Sequence, residues 1–184
     1  MQYENTKPLT FLALVNYRCF SKKPTNIETA GIQQHFILER LDVPTLRKWL
    51  LRGATIKPAV TDTEKHFISQ QVFFVDVDHN RRVLKNLRTA KKTEIIPNLV
   101  YKTFSSTIKE QRHRIVVVLA QPVNDIQLRD EIQKKLNLLF GGDQACSHYN
   151  CIFYGGNAGY FYNPYLYTSI EQIKEVTFYN ETKH

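Results

Sequence analysis

The stretch "FFVDVDHNRR", residues 73–82, decides how the rest of the chain is read. Apolar and β-branched residues run directly into two aspartates spaced two apart, followed by His79, Asn80, Arg81 and Arg82. Such a run reads as a buried strand, here "QVFFVDVD" over 71–78. Strand side chains alternate faces, so Asp76 and Asp78 project to one side while Val75 and Val77 project to the other. Two carboxylates at a strand end are costly unless a cation holds them. Removing either one is therefore expected to relieve repulsion and leave the fold intact or slightly more stable.

Outward from this strand the elements alternate. "NRRVLKNLRTA" (80–90) reads as a helix with Asn80 as N-cap and Val83, Leu84 and Leu87 on its apolar face. Segments 98–104 and 112–120 read as strands, the second with a run Ile115–Leu119 that implies burial on both faces. Residues 124–140 carry Leu128, Ile132, Leu136 and Leu139 at helical spacing, with Asn124 and Gln127 as a capping box and Gly141-Gly142 as the stop. "CIFYGG" (151–156) reads as a short last strand. The order is β-α-β-β-α-β, a ferredoxin-like, RNA-recognition-type α+β (α/β) core. Right-handed crossovers then set strand 71–78 antiparallel beside 112–120, with 151–156 on its other flank. Asp76 and Asp78 meet Arg112, His113 and Arg114 on one side, and Asp143 arrives with the loop "DQACSHYN" on the other.

The N-terminal part reads as framework: a strand in "LTFLALVNY", a loop in "SKKPTN", and a helix in "DVPTLRKWLLRG" capped by Asp42, with Pro44 in its first turn and Gly53 at its end. "ATIKPAVTDTEKH" reads as irregular, and Trp49 as core. At 184 residues, one domain with N- and C-terminal extensions around a core of about 71–156 is expected. Three cysteines make no disulfide framework, which points to a reducing cytoplasm, and the apolar run Leu9–Val15 is too short to span a bilayer. There is no Walker-type phosphate loop. A net charge of +8 favours a polyanionic partner.

Three acids beside a basic cluster have the chemistry of nucleotidyl transfer: Asp76, Asp78 and Asp143 as ligands of Mg²⁺ or Mn²⁺, with Arg and His neutralising phosphate. A solvated strand end and a metal-dependent nuclease are the competing readings. The motifs "FFVDVDHN", "YKTFSST" leading into "HRIVVVLAQPV", and "GGDQACSHYNCIFYGG" resemble the primase–polymerase branch of the archaeo-eukaryotic primase superfamily, found in plasmids, phages and integrated mobile elements. The resemblance runs from about Lys48 to Gly156. It implies an enzyme that makes primers or extends strands on a single-stranded DNA template from nucleoside triphosphates, alongside a separate replicative helicase or initiator. The first family motif falls on Asp76 and Asp78, and the third-motif acid falls on Asp143. The second motif falls on Ser105 and Ser106, which lack the histidine that usually follows. His113 is the replacement candidate for the triphosphate, with Arg112 or Arg114, although His113 points opposite to both arginines on an ideal strand. Cys151 stands where relatives often carry arginine. These departures give the alternative of a catalytically impaired module that binds nucleic acid beside an initiator or helicase.

Arg81, Lys85, Arg88 and Lys92 share one face of the helix after the acids and suit a phosphate backbone. Tyr160, Phe161, Tyr162 and Tyr165 suit either base stacking or packing of the C-terminal extension. Cys146, His148 and Cys151 fall short of a four-ligand zinc set and read as buried thiols with a loop histidine. His79 suits either a metal or a helix cap.

Overall fold

The computed structural model describes residues 7–78 and 95–176. Two sheets stack face to face. The N-terminal one has strand order β2-β1-β3-β8, from β1 (Phe11–Asn16), β2 (Ile37–Leu41), β3 (Thr55–Lys57) and β8 (Phe153–Tyr154). The central one has order β4-β5-β7-β6-β9, from β4 (Ala59–Thr61), β5 (Phe67–Val77), β6 (Leu99–Thr103), β7 (His113–Val123) and β9 (Gly156–Tyr162). Both are antiparallel throughout.

The run Ile115–Leu119 is buried on both faces, as its unbroken hydrophobicity requires. One face of the central sheet (Phe73, Val75, Val77, Ile115, Val117) packs on helix α3 (Ile126–Phe140) and the short helix α4 (Ile170–Lys174). The other face (Val72, Phe74, Tyr101, Val116, Val118) packs on β1, β3 and helix α2 (Val43–Arg52). Asp42 caps α2, accepting from the Thr45 N–H at 2.8 Å. Gly53 ends it at φ 96, and a Cβ there would lie 1.8 Å from the Phe20 carbonyl oxygen, so only glycine suits both the left-handed turn and the close approach. Helix α1 (Asn26–Gln33) carries a capping box between Thr25 and Glu28.

Strand 71–78 does lie antiparallel beside 112–120, with Asp76 facing Arg114 and Val77 facing His113 in register. The expected fourth strand is a correction. Residues 153–154 join the N-terminal sheet against β3, and the flank of β5 is filled by β4, from the segment read as irregular. The ferredoxin-like core is thus altered at that position. A further strand, β9, continues the chain along β6. The cap of α3 is Asp125, which accepts from the Leu128 N–H at 2.7 Å, one residue after the expected Asn124. The expected helix over 80–90, with its face of Arg81, Lys85, Arg88 and Lys92, and His79 lie outside the described residues. Among the described residues, no helix is long and apolar enough to cross a membrane.

Candidate active site

The end of β5 opens into a cleft lined by Asp76 and Asp78, by Arg112 and Arg114 of the neighbouring strand, by Thr103, Phe104 and Ser105 of the β6–β7 hairpin, by Tyr154 and Gly155, and by Lys23. Register produces the central pairing. Asp76 and Arg114 are cross-strand neighbours, so both side chains rise from the same face. The pair is bidentate: Arg114 Nη2 lies 2.7 Å from Asp76 Oδ2, and Nε lies 3.3 Å from Oδ1. It is also sheltered, with side-chain exposures of 8% for Arg114 and 16% for Asp76. Arg114 Nη1 donates to the Tyr154 carbonyl at 2.6 Å and to the Tyr101 hydroxyl at 3.3 Å. Burial pushes the Tyr101 phenol up to about 12, so it stays a neutral hydrogen-bonding wall. Burial opposes the charge on Arg114, but Tyr101 and Asp76 outweigh it and raise its pKa.

One step along the strand, Arg112 Nη1 reaches Asp78 Oδ2 at 3.2 Å and Nη2 reaches Glu110 Oε1 at 3.0 Å. Both Asp78 and Arg112 are more open than the inner pair, at 30% and 27%. The Arg112 backbone N–H donates to Ser106 Oγ at 3.0 Å, so Ser106 shapes the hairpin while Ser105 faces the cleft.

His113 is placed differently. It stands in register with Val77 and Lys102, on the opposite face of the sheet from the acids. Burial, assisted by Lys102, lowers its pKa. The two arginines, not His113, accompany the carboxylates. Asp143 reaches the site through its backbone, its N–H donating to the Asp76 carbonyl at 2.8 Å. Its carboxylate accepts from the Ala145 N–H at 2.9 Å and does not line the cleft. Gly142 makes this approach possible, since a Cβ there would lie 2.3 Å from Val75 Cγ1. Among the described residues, no three of His, Cys, Asp and Glu gather closely enough to share one ion.

The loop 141–151 is tied down by a buried polar row on α3. Arg129, 2% exposed, donates to Gln70 Oε1 at 2.8 Å, to Asp130 and to the Ser147 carbonyl. Gln133 donates to the Phe74 carbonyl and to Asn137 Oδ1, both at 2.9 Å, and Asn137 donates to Ser147 Oγ and the Asp143 carbonyl. At i, i+4 and i+8 these three polar residues share one helix face.

Cys146 and Cys151 share a hydrogen bond beside Asp76, and Cys146 Sγ lies 4.0 Å from Asp76 Oδ2. That bond lowers the Cys151 pKa, with help from Arg129, and raises that of Cys146. His148 instead stacks on Tyr149 at 4.4 Å. Alkylation with iodoacetamide at neutral pH, mapped on peptides, is therefore expected at Cys151 ahead of Cys146, because the thiolate is the nucleophile. Cys146→Ser should shift the pH profile of Cys151 alkylation. Equal rates at the two thiols across pH would show that they do not share a proton.

Lys23, Tyr101 and Tyr154 escape a reading of the sequence. Lys23 sits on the loop between β1 and α1, which is held at its start by Asn16 Nδ2 donating to the Ile32 and His35 carbonyls and further on by the Phe20 N–H donating to the Gly53 carbonyl. No local motif marks it, since "SKKPTN" reads as any solvated turn.

No family model and no curated protein matches the sequence. A solved structure does match in shape: the AEP domain of the cyanophage S-2L primase–polymerase (PrimPol), with a TM-score of 0.52 over 91% of this chain and 88% of that one, at 13% identity. At that identity the likeness is one of fold. The chain has the mixed α+β fold of an archaeo-eukaryotic-primase-type primase–polymerase domain.

Proposed function

We propose that this chain is a metal-dependent nucleotidyltransferase of the primase–polymerase kind, acting on single-stranded DNA with nucleoside triphosphates in the replication of a mobile element. The observation that carries the reading is the pair Asp76 and Asp78 on one cleft wall, faced by Lys23, Arg112 and Arg114, on a primase–polymerase fold.

Hard oxygen donors that arginines now hold are the donor set a hard cation takes, and Mg²⁺ needs only one or two protein carboxylates when substrate phosphates complete its shell. Asp76 and Asp78 are the residues that would hold Mg²⁺ or Mn²⁺, with Asp143 adjacent to Asp76 through its backbone bond. Such an ion, when bound, supplies charge neutralisation at the attacking and leaving oxygens. Arg112, exposed enough to swing from Asp78, and Lys23 bind triphosphate oxygens and offset the charge that moves onto pyrophosphate. Ser105 offers a hydroxyl to the same phosphates. Arg114 is too enclosed to leave Asp76, and instead orients that carboxylate. His113, on the far face, is left as a packing residue.

Incubation with a single-stranded template, labelled ribo- or deoxynucleotides and Mn²⁺, with and without a primer, tests the reading. Incorporation is expected from the parent and is expected to fall at least about a hundredfold in Asp78→Asn and about tenfold in Lys23→Ala. Parent-level incorporation by Asp78→Asn removes the proposal. A second reading, a non-catalytic module beside a helicase or initiator, is favoured by one observation: each carboxylate already has an arginine, Arg114 of β7 or Arg112 just before it, an arrangement complete in itself. A parent protein that binds single strands but incorporates nothing supports that reading.

A further inference from the structure

Helix α2 turns Val43, Leu46 and Leu50 into the core and leaves Arg47, Lys48, Trp49 and Arg52 along its outer side. Trp49, expected in the core, is only half-buried. It is edge-packed by Tyr17 at 4.6 Å, with Lys48 Nζ 5.7 Å and the Arg52 guanidinium 5.5 Å from its ring centre. Arg47 lies 5.0 Å over the ring of Tyr162, which is 42% exposed at the end of β9. Further along, Arg18 lies 5.1 Å over Phe20. Among the described residues no carboxylate is ion-paired with Arg47, Lys48 or Arg52. Of the nearby acids, Asp42 is occupied as the cap of α2 and Glu39 takes the Tyr17 hydroxyl.

This surface runs into the cleft. Phe20 is hydrogen-bonded to Gly53 at the end of α2, and the same loop carries Lys23 into the cleft wall. Gly155, also of the cleft, packs so closely on α2 that a Cβ there would lie 2.2 Å from the Leu50 carbonyl oxygen. Rings and cations therefore alternate from the outer side of α2 to the acids.

We propose that the outer side of α2, with Trp49 on one flank and Tyr162 of β9 on the other, is the track on which a single strand of nucleic acid enters the cleft, with bases stacked on Trp49 and Tyr162 and phosphates held by Arg47, Lys48 and Arg52 between them. A nucleotide is a flat π-face with an anion attached, and a ring flanked by a cation is its complement. An acidic peptide would use the cations and leave the rings idle. A duplex hides its base faces. The assignment does not depend on catalysis, since strand binding needs neither metal nor triphosphate.

Trp49 is the chain's one tryptophan, so its emission reports on this face alone. With EDTA present and no nucleotide, titration with oligo-dT is expected to quench Trp49 in step with the rise in anisotropy of a labelled strand. In Arg47→Gln/Lys48→Gln/Arg52→Gln, the slope of log affinity against log salt should flatten by about 2, at roughly 0.7 for each phosphate no longer neutralised. The exposed-site variants Lys48→Gln and Arg52→Gln, which spare the packing of α2, should each flatten it by about 0.7. Unchanged emission at saturation, or an unchanged slope in variants that melt like the parent, overturns the proposal. Equal quenching by a duplex, or equal competition by polyglutamate, overturns it as well. A parent that quenches but incorporates no nucleotide defeats the catalytic reading and leaves this surface in place.

Discussion

Asp76→Ala is expected to lower unfolding free energy by about 3 kcal/mol, because it strands the buried guanidinium of Arg114 without its counter-charge. The aspartate spacing alone gives the opposite sign, relief of repulsion between neighbouring carboxylates. The structure reverses it, since the nearest charge to Asp76 is the bidentate Arg114. Asp78→Ala should cost less than about 1 kcal/mol, its partner Arg112 being more open than Arg114 and also bonded to Glu110. Both substitutions should abolish nucleotide incorporation, so stability and activity separate at Asp78 and fall together at Asp76. Urea unfolding of Asp76→Ala, Arg114→Met and the double variant checks the pairing. The double variant should recover most of the lost stability, since an apolar side chain is tolerated where a lone charge is not, and none of the activity. Additive losses in the cycle would show that the pair is not coupled.

Arg129→Ala is the second large effect. The side chain is almost fully enclosed and donates to acceptors on β5, on its own helix and in the 141–151 loop. Its removal leaves Gln70 Oε1 and the Ser147 carbonyl without that donor, each costing about 1–3 kcal/mol where water cannot enter, for a total of about 3 kcal/mol. The loop that sets the Asp143 backbone against Asp76 loses its anchor at the same time. Incorporation should therefore fall through kcat while the KM for nucleotide changes little, because Lys23 and Arg112 are untouched. Amide exchange across 143–151 should speed up. A variant with slow exchange in this loop and full kcat would show that Arg129 serves the core alone.

The parts of the fold that are legible are those with a repeating pattern. β5, β7 and α3 announce themselves because each buries a face whose period survives in the sequence. Helix α1 does not, since its apolar residues are few and Ile27 is 87% exposed; it is set by its capping box and by Asn16 gripping its C-terminal end. β3 and β4 are three residues each on either side of Pro58, too short for any alternation to register. β9 begins in "GNAG", which reads as a loop, yet Gly156 is needed because a Cβ would lie 2.0 Å from the Lys102 carbonyl oxygen. That the acids end beside Arg112, His113 and Arg114 is legible because the topology sets the two strands antiparallel side by side. That Arg112 and Arg114, not His113, share the acids' face is not settled by sequence, because a bulge at the strand start could turn either set inward. Lys23 is not legible, because its position depends on contacts with Gly53 and with the end of α1 that no local pattern encodes.

The two-residue strand β8 has a consequence for synthesis on the ribosome. β1 and β3 appear early, but β3 is completed on its far side only by Phe153 and Tyr154, about a hundred residues later. The apolar face of β1, with Phe11, Ala13 and Val15, is covered by Val72, Phe74, Val116 and Val118, so it too waits for the central sheet. At translation rates of about 5–20 residues per second, the N-terminal sheet stays an open, sticky edge for roughly 5–20 s. The chain gains its two cores together rather than one after the other, and the nascent N-terminal third is the stretch that a holdase-type chaperone would meet.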